Sequence, residues 1–206
     1  MTAPGGIRVP PGRAGRIWLE RRLATAQHAG ELLKEKLAIL NHEEQRLAQR
    51  AAKEAEEWRR LCAESETWTL RAALLSSRRA LRIASDGTSA QADIAMGLTM
   101  GIEHPVSGAV RLERQQDVLV TGSATVTQAE EAARAAVEAA LSAAVAFAAL
   151  RTLRREMAST RRTLRAVEQR WIPRLSSALA EVRLELDELE RAEGLRHRWA
   201  ASHGSQ

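Results

Sequence analysis

The chain has 206 residues, and Ala, Glu, Lys, Leu and Arg supply 117 of them, above the half that marks long helices or coiled coils. One Phe, five Trp and no Tyr argue against a core built on large rings, and the scarcity of β-branched residues excludes an all-β fold. The net charge of +5 is interspersed as on a solvated helix surface, with an excess at both ends: Arg8, Arg13, Arg16, Arg21 and Arg22, then Arg191, Arg196 and Arg198.

Residues 1–12 are rich in Gly and Pro. They lack the apolar stretch of a secretory signal and are expected to be flexible. A first helical arm is expected over 13–83. In a heptad frame its d positions read Leu19, Ala26, Leu33, Leu40, Leu47, Glu54, Leu61, Trp68 and Leu75, all apolar but Glu54. A frame that survives nine heptads without slipping points to a coiled coil rather than a short amphipathic helix. Cys62, the single cysteine, lies in this arm; it excludes an intramolecular disulfide and reads as a small apolar filler.

Between 84 and 126 the helical pattern stops and Gly, Ser, Thr and Val become frequent. Asp86 and Gly87 mark a turn. Segments 94–102 and 109–120 alternate enough for two short strands, with Pro105 and Gly108 between them, so a small β-hairpin is expected to project from the arms.

The second arm is expected over 127–200, opening on a capping box of Thr127 and Glu130, with a flexible tail at 201–206. Its Ala-rich start, 132–149, reads as a smooth face for close packing on the first arm near the connector, or for docking of a separate partner subunit. The longest nearly apolar run, 139–150, is shorter than the roughly 17–25 residues of a membrane span, so a soluble, intracellular chain is expected. The seam then runs through Leu150, Leu153, Met157, Thr160, Leu164, Val167 and Trp171, steps by four through Leu175 and Leu179, and resumes at Val182, Leu186 and Leu189. The extra four-residue step is a stutter. It coincides with Pro173, where a bend is expected.

The two arms are nearly equal, and each would reach roughly 105–110 Å at 1.5 Å per residue. The expected fold is therefore all-α: a long antiparallel two-helix coiled coil within one chain, closed by a small connector. No phosphate-cradling loop, H-E-x-x-H or G-x-S-x-G is present. His28, His42, His104, His197 and His203 have no ligand spacing. No catalytic residue, metal or cofactor is implied.

Three motifs carry a resemblance. Thr160-Arg161-Arg162, Arg165-Ala166-Val167-Glu168 and Ile172-Pro173-Arg174-Leu175 resemble the run T-R-R-R-V-N-A-L-E-x-x-x-I-P-R-L of the D subunits of the V-type and archaeal-type rotary ATPases. Leu186 to Arg191 is similar to its acidic continuation. Gly30-Glu31-Leu32-Leu33-Lys34-Glu35-Lys36, after the basic Arg21-Arg22-Leu23, resembles that family's G-x-x-L-L-K-x-K. Met100-Gly101-Ile102-Glu103-His104-Pro105 is similar to its M-G-V-x-V-P. The chain departs from the pattern at Thr163, Arg165 and Leu37, as a divergent member would.

The resemblance implies a central-stalk rotor: a non-catalytic shaft whose terminal segments enter a hexamer of catalytic A and B subunits. The F subunit docks on another part of it, and its foot rests on the C subunit (called d in eukaryotes) above the membrane ring, on the cytoplasmic side. It implies no direct nucleotide binding. The implied partner-facing residues are Leu32, Leu33, Lys34, Lys36, Met100, Gly101, Ile102, Pro105, Arg161, Arg162, Ile172, Pro173, Arg174 and Leu175. Basic charge alone would also suit a stand-alone coiled coil that binds nucleic acid or serves as a scaffold. No helix-turn-helix, zinc motif or aromatic platform accompanies that charge.

Overall fold

A computed structural model describes residues 8–84, 90–112 and 123–203. Helix α1 spans Gly12–Ser76, 65 residues, and the short α2 spans Arg78–Ala84. Strands β1 (Ala90–Thr99) and β2 (Ile102–Leu112) form a two-stranded antiparallel sheet. Helix α3 covers Ala124–Ala166, a π-turn follows at Val167–Trp171, and α4 completes the chain at Ile172–His203. The described residues divide into two compact units, one of those within 1–38 and 158–206, the other of those within 39–157.

In the first unit the start of α1 lies antiparallel to α4. Leu19, with none of its surface exposed, packs on Leu175, Ala178 and Leu179, and Val9, Trp18, Leu23, Ala26 and Val182 surround them. Ion pairs keep the same register on the rim, Arg13 with Glu190 at 3.0 Å and Arg183 with Glu20 at 2.8 Å. Exposed pairs of this kind contribute little stability; apolar burial along the seam is what holds the helices.

In the second unit the rest of α1 runs antiparallel to α3. Leu40, Leu47, Ala51 and Ala72 of α1 and Leu150, Leu153 and Met157 of α3 are buried. Arg154 reaches Glu44 at 2.6 Å. Ala72 closes on Val126 and Ala129, with Trp68 and the α2 residues Ala80 and Leu81 against them. The first arm is not one helix to residue 83: it breaks at Ser77, whose φ of 81° no right-handed helix accommodates.

Three sequence expectations are corrected in the second unit. The hairpin turns at Met100–Gly101, not around Pro105 and Gly108. Both turn residues have positive φ, 51° and 79°, which is the two-residue turn that matches strand twist and for which Gly101 is suited. Pro105 and Gly108 therefore lie inside β2. The hairpin also packs on the helices rather than projecting free. A Cβ on Gly108 would come within 2.9 Å of Leu141 and 3.2 Å of Val145, so the Ala-rich face of α3 receives the sheet. Finally, α3 starts at Ala124 rather than Thr127, because Ser123 accepts the backbone N–H of Val126 at 2.9 Å and of Thr127 at 3.3 Å. The expected turn at 86–87 and strand residues 113–120 lie outside the described residues.

The uninterrupted helical stretch 124–199 contains an 18-residue window of mean hydropathy 1.6, one third buried within the protein, and so is long and apolar enough to cross a membrane by length and composition alone. The run read as too short for a span is therefore not excluded on that ground. Within that run Ala143, Val145, Ala146, Ala149 and Leu150 are buried.

Candidate functional site

Pro173 has no N–H to give the carbonyl of residue 169, and its ring crowds that carbonyl. The helix answers by widening one turn upstream: the N–H of Ile172 reaches back five residues to the carbonyl of Val167. Such π-turns recur at functional sites. The extra residue changes which side chains face α1. Trp171, expected in the seam, stands 47% exposed, whereas Glu168 and Ile172 are half-buried and Leu175 is buried.

This turn meets the second motif. Gly30 is buried, and a Cβ there would lie 3.9 Å from the Val167 methyl. Four residues on, Lys34 Nζ is 2.6 Å from Glu168 Oε1. The hydrogen bond to Glu168, and then the charge of that carboxylate, hold the Lys34 ammonium above its ordinary lysine value. The two motifs, far apart in sequence, thus form one structural locus within the first unit. Leu33 and Lys36 are half-buried there, while Leu32 is exposed. On the outer side of the helix Arg161, Arg162, Pro173 and Arg174 are exposed.

The third motif lies in the second unit. Met100 and Gly101 are exposed, Pro105 is half-buried and Ile102 is buried. His104, 4% exposed, lies 2.9 Å from the Thr99 hydroxyl through Nε2 and 3.2 Å from the Pro105 carbonyl through Nδ1. Because a carbonyl only accepts, Nδ1 is the donor to Pro105; in the neutral ring Nε2 then accepts from the Thr99 hydroxyl. Val106 is the extra residue of a bulge, Met96 pairing with Pro105 and Ala95 with Ser107. Its freed carbonyl accepts from Arg50 of α1 at 3.1 Å. Close by, Arg46 grips Glu43 at 2.5 and 2.9 Å. The Arg46 guanidinium holds the Glu43 carboxyl below the usual carboxylate range, mainly through that hydrogen bond, with burial opposing. The first strand of the hairpin shows an apolar row to solvent: Ile94, Met96 and Leu98.

The remaining seam residues divide. Leu61, Trp68, Leu164, Val167, Val182 and Leu186 are half-buried. Leu75 and Leu189 are 74% and 58% exposed, which corrects their seam assignment. Near the end of α1 the buried row passes through 65, 68, 72 and 76, because an α-helix of 3.6 residues per turn drifts from a strict seven-residue frame. Trp171 is the locus residue that sequence spacing misplaced, with Pro173 as the available signal; Glu168, the partner of Lys34, was given no place by the spacing.

Chemically the locus offers charge and shape. Among the described residues no group of three His, Cys, Asp or Glu stands close enough to hold a metal ion. A model of the ATP synthase D-subunit family matches residues 16–202. The chain belongs to that family. Membership makes it a stalk subunit of a rotary ATPase complex, working among other subunits in an assembly associated with a membrane. A comparison with curated proteins gives no match.

Proposed function

We propose that the chain is the central-stalk rotor of a V/A-type ATPase or ATP synthase that translocates H⁺ or Na⁺, transmitting torque between the catalytic A/B hexamer and the membrane ring without performing chemistry itself. The observation that carries the reading is the family match across 16–202. It is supported by the meeting of Gly30 and Lys34 with Val167 and Glu168. A shaft must resist twist, and antiparallel helices with buried Leu and Ala seams supply stiffness through side-chain packing. The exposed face around Arg161, Arg162, Pro173 and Arg174, with Leu32 and Lys34 beside it, is the part offered to the A and B subunits; Leu175, expected to face a partner, is buried against Leu19 and backs that face, as the half-buried Leu33, Lys36 and Ile172 do in part. The hairpin residues Met100, Gly101 and Pro105 belong to a second contact region, where the F and C/d subunits are the candidates; Ile102, expected there too, is buried beneath them. The complex would sit on the inner face of the membrane.

The experiment is purification of the tagged chain from its native membranes, followed by mass spectrometry of what accompanies it. Stoichiometric A, B, F and C subunits are expected. A chain recovered as a homodimer with none of them, or one whose retention on nucleic acid falls steeply with salt, overturns the reading.

A further inference from the structure

Between residues 158 and 175 the first unit carries five arginines, Arg161, Arg162, Arg165, Arg170 and Arg174, and a single carboxylate, Glu168. All five arginines are exposed. The Glu168 carboxylate is engaged by Lys34 at 2.6 Å and so is directed to α1 rather than to the outer face. The surface is locally and strongly basic. In its midst stands Trp171, which the π-turn has rotated out of the seam and left 47% exposed.

Two of the other four tryptophans, Trp18 and Trp68, each lie under an arginine of their own helix, Arg22 at 5.2 Å and Arg71 at 4.7 Å from the ring centroid. Trp58 and Trp199 are exposed like Trp171, but only Trp171 stands within the stretch of five arginines beside the π-turn. No arginine is stacked over Trp171 among the described residues. A large apolar ring in water, flanked by arginines, has the composition that dominates protein–protein binding energy, where Trp and Arg anchors sit near the centre of a desolvated patch.

We propose that this face docks an acidic segment of a neighbouring protein in the complex: a loop or helix end bearing at least two carboxylates around an apolar residue. Trp171 is the anchor, and Arg165, Arg170 and Arg174 pair with the carboxylates. The inference rests on the stalk reading above and adds the chemistry of the partner together with three residues, Arg165, Arg170 and Trp171, that the family motif does not supply. Charge complementarity selects an acidic occupant. A nucleic-acid strand fits less well, since sequence-tolerant strand binding uses several aromatic platforms in a row and this face has one.

The test uses the complex purified through the tagged full-length chain, with p-benzoylphenylalanine in place of Trp171. After irradiation the adduct is identified by mass spectrometry. The expected product joins position 171 to one other protein of the complex, within a few residues of two or more Asp or Glu. Arg170→Glu with Arg174→Glu should weaken retention of that protein about 30-fold, the scale of losing one strong anchor, and converting its cross-linked carboxylates to lysine should restore retention. The proposal is overturned if the complex assembles but position 171 couples only to its own chain, to a segment without carboxylates, to nucleic acid, or to nothing. If no other protein accompanies the unmodified chain, the stalk reading fails first and takes this proposal with it.

Discussion

Leu19→Ala and Leu189→Ala form a pair that tests the register of the first unit, because the sequence puts both leucines in the seam and the structure buries only one. Leu19 is wholly buried between Leu175, Ala178 and Leu179. Truncation removes three carbons, worth about 0.8 kcal/mol each in transfer free energy, or about 2.4 kcal/mol. The void adds to this at about 24 cal/mol per Å³ that fails to collapse. The neighbouring Ala26 and Ala178 are too short to fill it, while Val9 and Val182 can lean in from the open sides of a two-helix seam. The expected loss is about 3 kcal/mol. Leu189, 58% exposed, should lose no more than about 0.5 kcal/mol, as surface positions do. Urea titrations followed by far-UV circular dichroism read the difference: with a slope of about 2 kcal/mol/M, the Leu19 variant's midpoint falls by about 1.5 M and that of the Leu189 variant barely moves. Equal shifts, or a larger one at Leu189, would refute the register and the seam built on it.

Three further outcomes follow from particular contacts, and two of opposite sign from titration. Gly30→Ala places a methyl 3.9 Å from Val167, an ordinary contact, and improves helix propensity, so it should stabilise by about 0.5–1 kcal/mol. Gly15→Ala should destabilise by about 1–3 kcal/mol on the overpacking scale, since its Cβ would come 2.1 Å from the Pro10 carbonyl oxygen; opposite shifts of the urea midpoint check the two. Arg50→Ala removes the donor to Val106 and should raise amide exchange in β2 about fivefold, the equivalent of about 1 kcal/mol, as hydrogen-exchange mass spectrometry would show. Glu43 has its carboxyl lowered by Arg46. Its contribution is present above the ordinary value of about 4.3 and is lost as pH falls through the lower folded one. Glu43→Gln should therefore flatten the acid limb of a plot of urea midpoint against pH; an unchanged limb counts against the pairing. Lys34 works in the opposite sense. Held above its ordinary value by Glu168, it contributes fully below that value and loses its contribution as pH rises through the folded one.

How far the sequence could be read depended on whether the deciding interaction was local. Helix is dictated residue by residue through propensity and heptad spacing, so the two arms and their antiparallel pairing were legible from Leu19, Leu40, Leu47, Leu153 and Met157, all now buried. The hairpin was legible as a hairpin but not in its turn. Pro105 and Gly108 look like a turn in isolation, yet Gly108 is needed for close approach to Leu141 and Val145, a demand set by α3. The locus at residues 158–175 was legible in its motif letters and wrong in its facing. The three–four count shows a stutter beside Pro173 but not that the irregularity is taken up as a π-turn at Val167–Trp171, which turns Trp171 out of the seam.

Composition and period alone therefore determined that this polypeptide is helical, two-armed and free of a recognisable catalytic motif, because those properties add up along the chain from short-range preferences. Only the tertiary structure decided where α1 ends, how the sheet lies on α3, and which side of the C-terminal helix carries Trp171. Each of those outcomes turns on a backbone irregularity, the positive φ of Ser77, the bulge at Val106 and the π-turn before Pro173. The form such an irregularity takes is a matter of local backbone and packing: the stutter beside Pro173 marks its place in the sequence but not its geometry.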